Sequence, residues 1–140
     1  MKSILLIAHL IAIATGTGMS IANYINIRIA SGEKGERRAA LVFLRRQLAR
    51  VADLVITMIW ITGIALWWIR PADAEPNIWF IVKIGFVLLL TLCHGLARVT
   101  AGRMAKSGDQ TLYSRMELLV SGVWLSALAA ITLAVLAFGT

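Results

Sequence analysis

Two histidines, a lysine and an aspartate stand in stretches that are otherwise almost entirely apolar: His9 in "AHLIAIATG", Asp53 in "ARVADLVIT", and Lys83 and His94 in "IVKIGFVLLLTLCHG". A charged side chain in hydrocarbon costs about 2.5–3.5 kcal/mol on insertion scales, so each such residue needs a reason. Lys83 and His94 are eleven residues apart, close to a whole number of helical turns, which places them on one face about 16 Å apart along the axis. They mark two depths on that face and cannot hold one ion together. In the first apolar stretch His9, Ile13, Gly16, Ser20 and Tyr24 form one stripe. The two stretches together predict an outer polar level of His9 and Lys83 and an inner level of Tyr24 and His94. Small residues at Ala12, Gly16 and Ser20 let another helix or a flat ligand approach closely.

Imidazole suits haem iron. Two histidines about 18 Å apart in depth do not make a zinc site. The single cysteine, Cys93, excludes an internal disulfide and any multi-cysteine metal site. The apolar stretches hold no carboxylate pair for acid–base hydrolysis, so no catalytic residues are assigned. A membrane-held cofactor or a translocated ion remains. Plainer roles stand beside these: Lys83 snorkelling to headgroups or to Asp73 and Glu75, His9 bonding across helices, His94 meeting Tyr24 or water, and Asp53 pairing with Arg50 or Arg98. Gly16 and Gly18 read as packing glycines and Cys93 as a small core residue.

The elements that position these groups follow from hydropathy. The chain has 140 residues, 59% of them hydrophobic, and a mean hydropathy of +0.81. A soluble protein of this size could not hide that much apolar surface. Four apolar segments, roughly 4–27, 51–69, 77–97 and 117–138, each approach the roughly 20 residues that span a bilayer. The expectation is one all-α domain over residues 1–140, an integral membrane four-helix bundle running up-down-up-down, multi-pass in a bacterial inner membrane.

Charge placement sets its orientation. Of the net +7, the basic residues gather in 28–50 (Arg28, Lys34, Arg37, Arg38, Arg45, Arg46, Arg50) and in 98–115 (Arg98, Arg103, Lys106, Arg115). Basic loops stay in the cytoplasm, which predicts both termini and the 70–77 loop outside. The same residues would hold anionic lipid headgroups, and nucleic acid is not expected. "MKSILLIAHLIAIATG" resembles a signal peptide, but the apolar run continues to Ile27, so it is read as a retained span. Ser31, Gly32 and Gly35 mark a turn, as does "AKSGDQ". Ser114 and Glu117 form a capping pattern for the last span. Trp67, Trp68 and Trp79 read as an interfacial belt.

"WFIVKIGFVLLLTLCHG" resembles the third span of the HemJ-type protoporphyrinogen oxidases: tryptophan, lysine, a leucine-rich run, then tyrosine-histidine, with Cys93 where the family has tyrosine. "AHLIAIATGTGMS" and "RRQLARVADLVITMIWITGIAL" are similar to its first and second spans, so the resemblance covers roughly residues 5–105. The family's Trp-Phe-Ala-Gly and Leu-Pro-Arg motifs are absent; Gly16-Thr17-Gly18 and Asn26-Ile27-Arg28 stand there. A looser likeness is to small four-helix bacterial membrane proteins akin to copper-resistance domains. The resemblance implies the fold and a b-type haem tied to the first-span histidine and the third-span lysine, here His9 and Lys83.

The leading expectation is thus a haem b redox protein, with porphyrinogen oxidation and electron transfer to quinone or a partner as its reaction. His9 ligates the iron. Lys83 is either a neutral second ligand or a cation pairing with a propionate, helped by Arg70. Ser20, Tyr24, Asp53 and His94 are the other intramembrane polar groups, with His94 and Tyr24 suited to proton delivery. An accessory subunit of a membrane complex and a small proton- or ion-coupled transporter are the alternatives. A homo-oligomer or a membrane-complex partner is compatible with all three.

Overall fold

The computed structural model describes residues 2–69 and 78–138, and all four elements there are α-helices: α1 (Lys2–Gly32), α2 (Gly35–Trp68), α3 (Ile78–Ser107) and α4 (Leu112–Phe138). Each is long and apolar enough to cross a membrane. The chain is a multi-pass membrane bundle. Its apolar residues largely face outward, as in Ile4, Leu54, Trp68 and Leu118, where lipid replaces water and every backbone group is satisfied within its own helix.

The helices are longer than their apolar runs. At about 1.5 Å per residue, α1 and α2 reach roughly 45–50 Å, well beyond a hydrocarbon core of about 30 Å. The excess lies at the end where the two short turns sit. Gly35 and Gly108 in those turns have φ of +60° and +66°, a region open to glycine at little steric cost. The second turn is tied by Asp109, whose Oδ1 accepts from both the Thr111 backbone N–H and the Thr111 hydroxyl, each at 2.8 Å. The hydroxyl and then the backbone bond hold the Asp109 carboxyl below its usual range. This tie starts α4 at Leu112, earlier than the Ser114–Glu117 capping pattern predicts. Glu117 instead pairs with Arg28 of α1 at 3.4 Å.

The tight core lies at this turn end. Ile27 and Ala30 of α1 meet Ala97 of α3 and Tyr113, Met116 and Val120 of α4. Arg38 of α2 lies over the Tyr113 ring, 5.1 Å from its centroid, and donates to the Tyr113 and Gln110 oxygens. Further along, packing depends on small residues, as expected where no hydrophobic force separates helix from lipid. A Cβ on Gly16 would lie 2.9 Å from Val55 Cγ1 of α2, and one on Gly122 would lie 2.9 Å from Cys93 Sγ of α3. Cys93 is therefore a packing residue, as expected. Gly18 is not, because nothing stands within 4 Å of a Cβ there.

α1 packs on α2 and α4, and α3 packs on α4. α2 and α3 have no comparable backbone approach, and side chains bridge the gap between them. Trp67 stacks on Phe80 at 5.0 Å. Trp60 Nε1–H donates to Thr91 Oγ1 at 3.1 Å. Asp53 reaches His94 at 2.7 Å and Arg98 at 3.3 Å. The α2 members, at positions 53, 60 and 67, recur every seven residues and so form one ridge.

Candidate functional site

Because α2 and α3 are held apart, the bundle holds an open cavity of about 1450 Å³ lined by all four helices. His9 and Ser20 of α1, Lys83 and His94 of α3 and four arginines are on its wall. Four of the sequence-predicted residues, His9, Ser20, Lys83 and His94, thus share one cavity. Arg70 lies outside the described residues, as do Asp73 and Glu75.

His9 is 7% exposed and its Nδ1 lies 2.7 Å from Thr62 Oγ1. The Thr62 hydroxyl donates back to the Met58 carbonyl at 2.6 Å. Its proton is committed there, so the oxygen accepts from His9 Nδ1–H. That fixes the tautomer and leaves Nε2 as the basic nitrogen, with no partner among the described residues. A metal-binding imidazole is commonly oriented through its other nitrogen in this way. Gly63, next in sequence, makes room: a Cβ there would stand 3.4 Å from His9 Cε1. Neither Thr62 nor Gly63 was singled out from the sequence.

Lys83 is half-buried on the facing wall. Its ammonium lies 5.9 Å from the centroid of Phe80, one turn earlier on α3, a cation–π distance. Lys83 forms no ion pair with a described residue. Ser20 closes its own hydrogen bond by donating to the Thr17 carbonyl at 2.9 Å, so it shapes the wall without offering a free donor.

The inner level differs from expectation. His94 meets Asp53 rather than Tyr24. A carboxylate only accepts, so His94 Nε2–H is the donor to Asp53 Oδ1, while Arg98 occupies Oδ2. The Asp53–Arg98 pair was among those expected. Tyr24 is not on the cavity wall; its ring lies 6.1 Å from that of Trp124 on α4, and its hydroxyl accepts from Arg28 at 3.5 Å. The cause is helical phase. At about 100° per residue, the eleven residues from His9 to Ser20 leave a drift of only about 20°, whereas the fifteen to Tyr24 accumulate about 60°.

Among the described residues no cluster of three or more His, Cys, Asp or Glu could hold a metal ion by itself. No protein-family profile matches the chain, and comparison with curated proteins and with solved structures returns no relative.

Proposed function

We propose that this protein is a membrane-embedded b-type haem protein with a redox role, the haem lying at the His9–Lys83 level of the cavity. The observation that carries the reading is His9: a buried imidazole on the wall of a large, mainly apolar cavity, its Nδ1–H fixed by Thr62 and its Nε2 left open. The residues present fit the group. His9 Nε2 would hold the iron, and Lys83 would either hold it as a neutral amine or pair as a cation with a propionate. Apolar α2 and α3 side chains would line the macrocycle. When bound, the haem would supply one-electron chemistry.

The chain's own groups then have separable tasks. Thr62 aims the His9 ring and Gly63 lets it lie close to α2. The Asp53–His94–Arg98 group, deeper in the bundle, holds a proton on His94 Nε2 and fixes the spacing of α2 and α3. Oxidation of a porphyrinogen, with electrons passing to quinone or a partner, is the reaction that the resemblance to the HemJ-type oxidases adds. Against a transporter stands the continuity of all four helices, since transporter sites are typically built on broken ones.

The proposed setting is a bacterial inner membrane, with an up-down-up-down course and both termini outside. Two pairings between α1 and α2, His9 with Thr62 and Gly16 with Val55, run in opposite chain directions and support that course. Variant proteins loaded with haem test the reading. His9→Ala is expected to abolish haem retention, Lys83→Ala to weaken it or shift the spectrum, and His94→Ala to leave the haem bound. Full occupancy in folded His9→Ala protein would defeat the assignment.

A further inference from the structure

Arg45 of α2 is 7% exposed, and no ion pair with a described carboxylate holds it. The other arginines of this region contrast with it. Arg28 pairs with Glu117, Arg37 with Glu33, Arg38 with Tyr113 and Gln110, and Arg98 with Asp53. Arg45 faces the cavity, and Arg46, Arg50 and Arg98 share that wall. Its guanidinium opens to that cavity, and no described carboxylate pairs with it. A guanidinium with Arg46 as a cationic neighbour and only the Tyr113 hydroxyl in favourable opposition is complementary to an anion from outside the chain.

We infer that Arg45, with Arg46 and Arg50, binds the phosphate of an anionic glycerophospholipid whose acyl chain enters the cavity between α2 and α3. A guanidinium fork matches phosphate oxygens bidentately. Beyond the arginines the wall becomes apolar, with Ile56 and Ile59 on α2 and Ile84, Val87 and Leu90 on α3. That succession, cation first and hydrocarbon after, is complementary to a lipid and not to a free anion. The α2–α3 gap, spanned only by side chains, gives a chain lateral entry from the bilayer. The volume also allows it: about 1450 Å³ exceeds the roughly 300–1,000 Å³ that one small ligand usually occupies. Basic pockets between helices at a membrane's charged face bind anionic lipid heads in this manner. The inference rests on the membrane reading and is independent of the haem.

Native mass spectrometry of the detergent-solubilised chain tests it, with dioleoyl phosphatidylglycerol, dioleoyl phosphatidylcholine or inorganic phosphate as the probe. One phosphatidylglycerol per chain is expected to bind at least about tenfold more tightly than phosphatidylcholine, and Arg45→Gln to remove that preference. Arg103→Gln, off the cavity wall, should preserve it. Val87→Trp, which fills the apolar part, should weaken phosphatidylglycerol binding while leaving the arginines in place. Arg45→Gln and Arg103→Gln acting alike would overturn the inference, as would inorganic phosphate displacing the lipid at equal concentration. Circular dichroism establishes that each variant is folded. His9→Ala should bind phosphatidylglycerol normally, which separates failure of this site from failure of the haem reading.

Discussion

Thr62→Val removes one oxygen and almost no volume, so it isolates the bond that aims His9. Both partners are 7% exposed, and their bond is 2.7 Å long. An average interhelical hydrogen bond within a membrane is worth about 0.6 kcal/mol, with a maximum near 1.7. Leaving a buried N–H unsatisfied costs about 1–3 kcal/mol. Here the acceptor is lost and the donor stays buried, so the second case governs, softened by whatever partner the ring finds on turning. A loss of about 1–2 kcal/mol is expected, read from reversible unfolding in mixed detergent micelles. Haem affinity should fall about 10–100-fold, the usual effect of losing an orienting partner. Thr62→Ser keeps the oxygen and should restore most of both. If Thr62→Val unfolds and binds haem as the parent does, the Thr62–His9 bond does not position the ring, and the argument for an open Nε2 fails.

Gly16→Leu should lower stability by about 1–3 kcal/mol by overpacking against Val55, whereas Ala14→Leu on the exposed face should stay within about 0.5 kcal/mol; equal effects in the same unfolding assay would mean the wrong face was assigned. A double-mutant cycle of Asp53→Ala and His94→Ala should show a coupling of about 0.5–1.5 kcal/mol, and a coupling near zero would remove the α2–α3 tie. In a Cys93→Ala background, Ser31→Cys should react with a membrane-impermeant maleimide only after permeabilisation and Ala74→Cys in intact cells; the reverse pattern would invert the proposed topology.

The four helices were legible because apolar runs of about 20 residues have few other outcomes. Their ends were not. Hydropathy locates the edge of the hydrocarbon, while α1 continues through Arg28 to Gly32 and α3 through Arg103 to Ser107, since nothing in those segments breaks a helix. The shared wall of Lys83 and His94 followed from an eleven-residue spacing that returns almost to phase. Tyr24 was misplaced because a stripe followed over four turns drifts off its face. Asp53 was expected to find Arg98, but its bond to His94 was missed. That pairing needs the knowledge that α2 faces α3 across a gap, and the seven-residue recurrence of Asp53, Trp60 and Trp67 was the available clue. Thr62 gave no such signal. A lone threonine in an apolar run ordinarily bonds its own helix, and it does so here through Met58 while also receiving His9.

The visible absorption spectrum of the intact chain, expressed with haem available and purified from its own membrane, tests the central claim most directly. The account predicts a Soret band with about one haem per chain, shifting on reduction by dithionite and absent from His9→Ala protein prepared alongside. Folded protein that shows no Soret band, both as purified and after incubation with hemin, would contradict it.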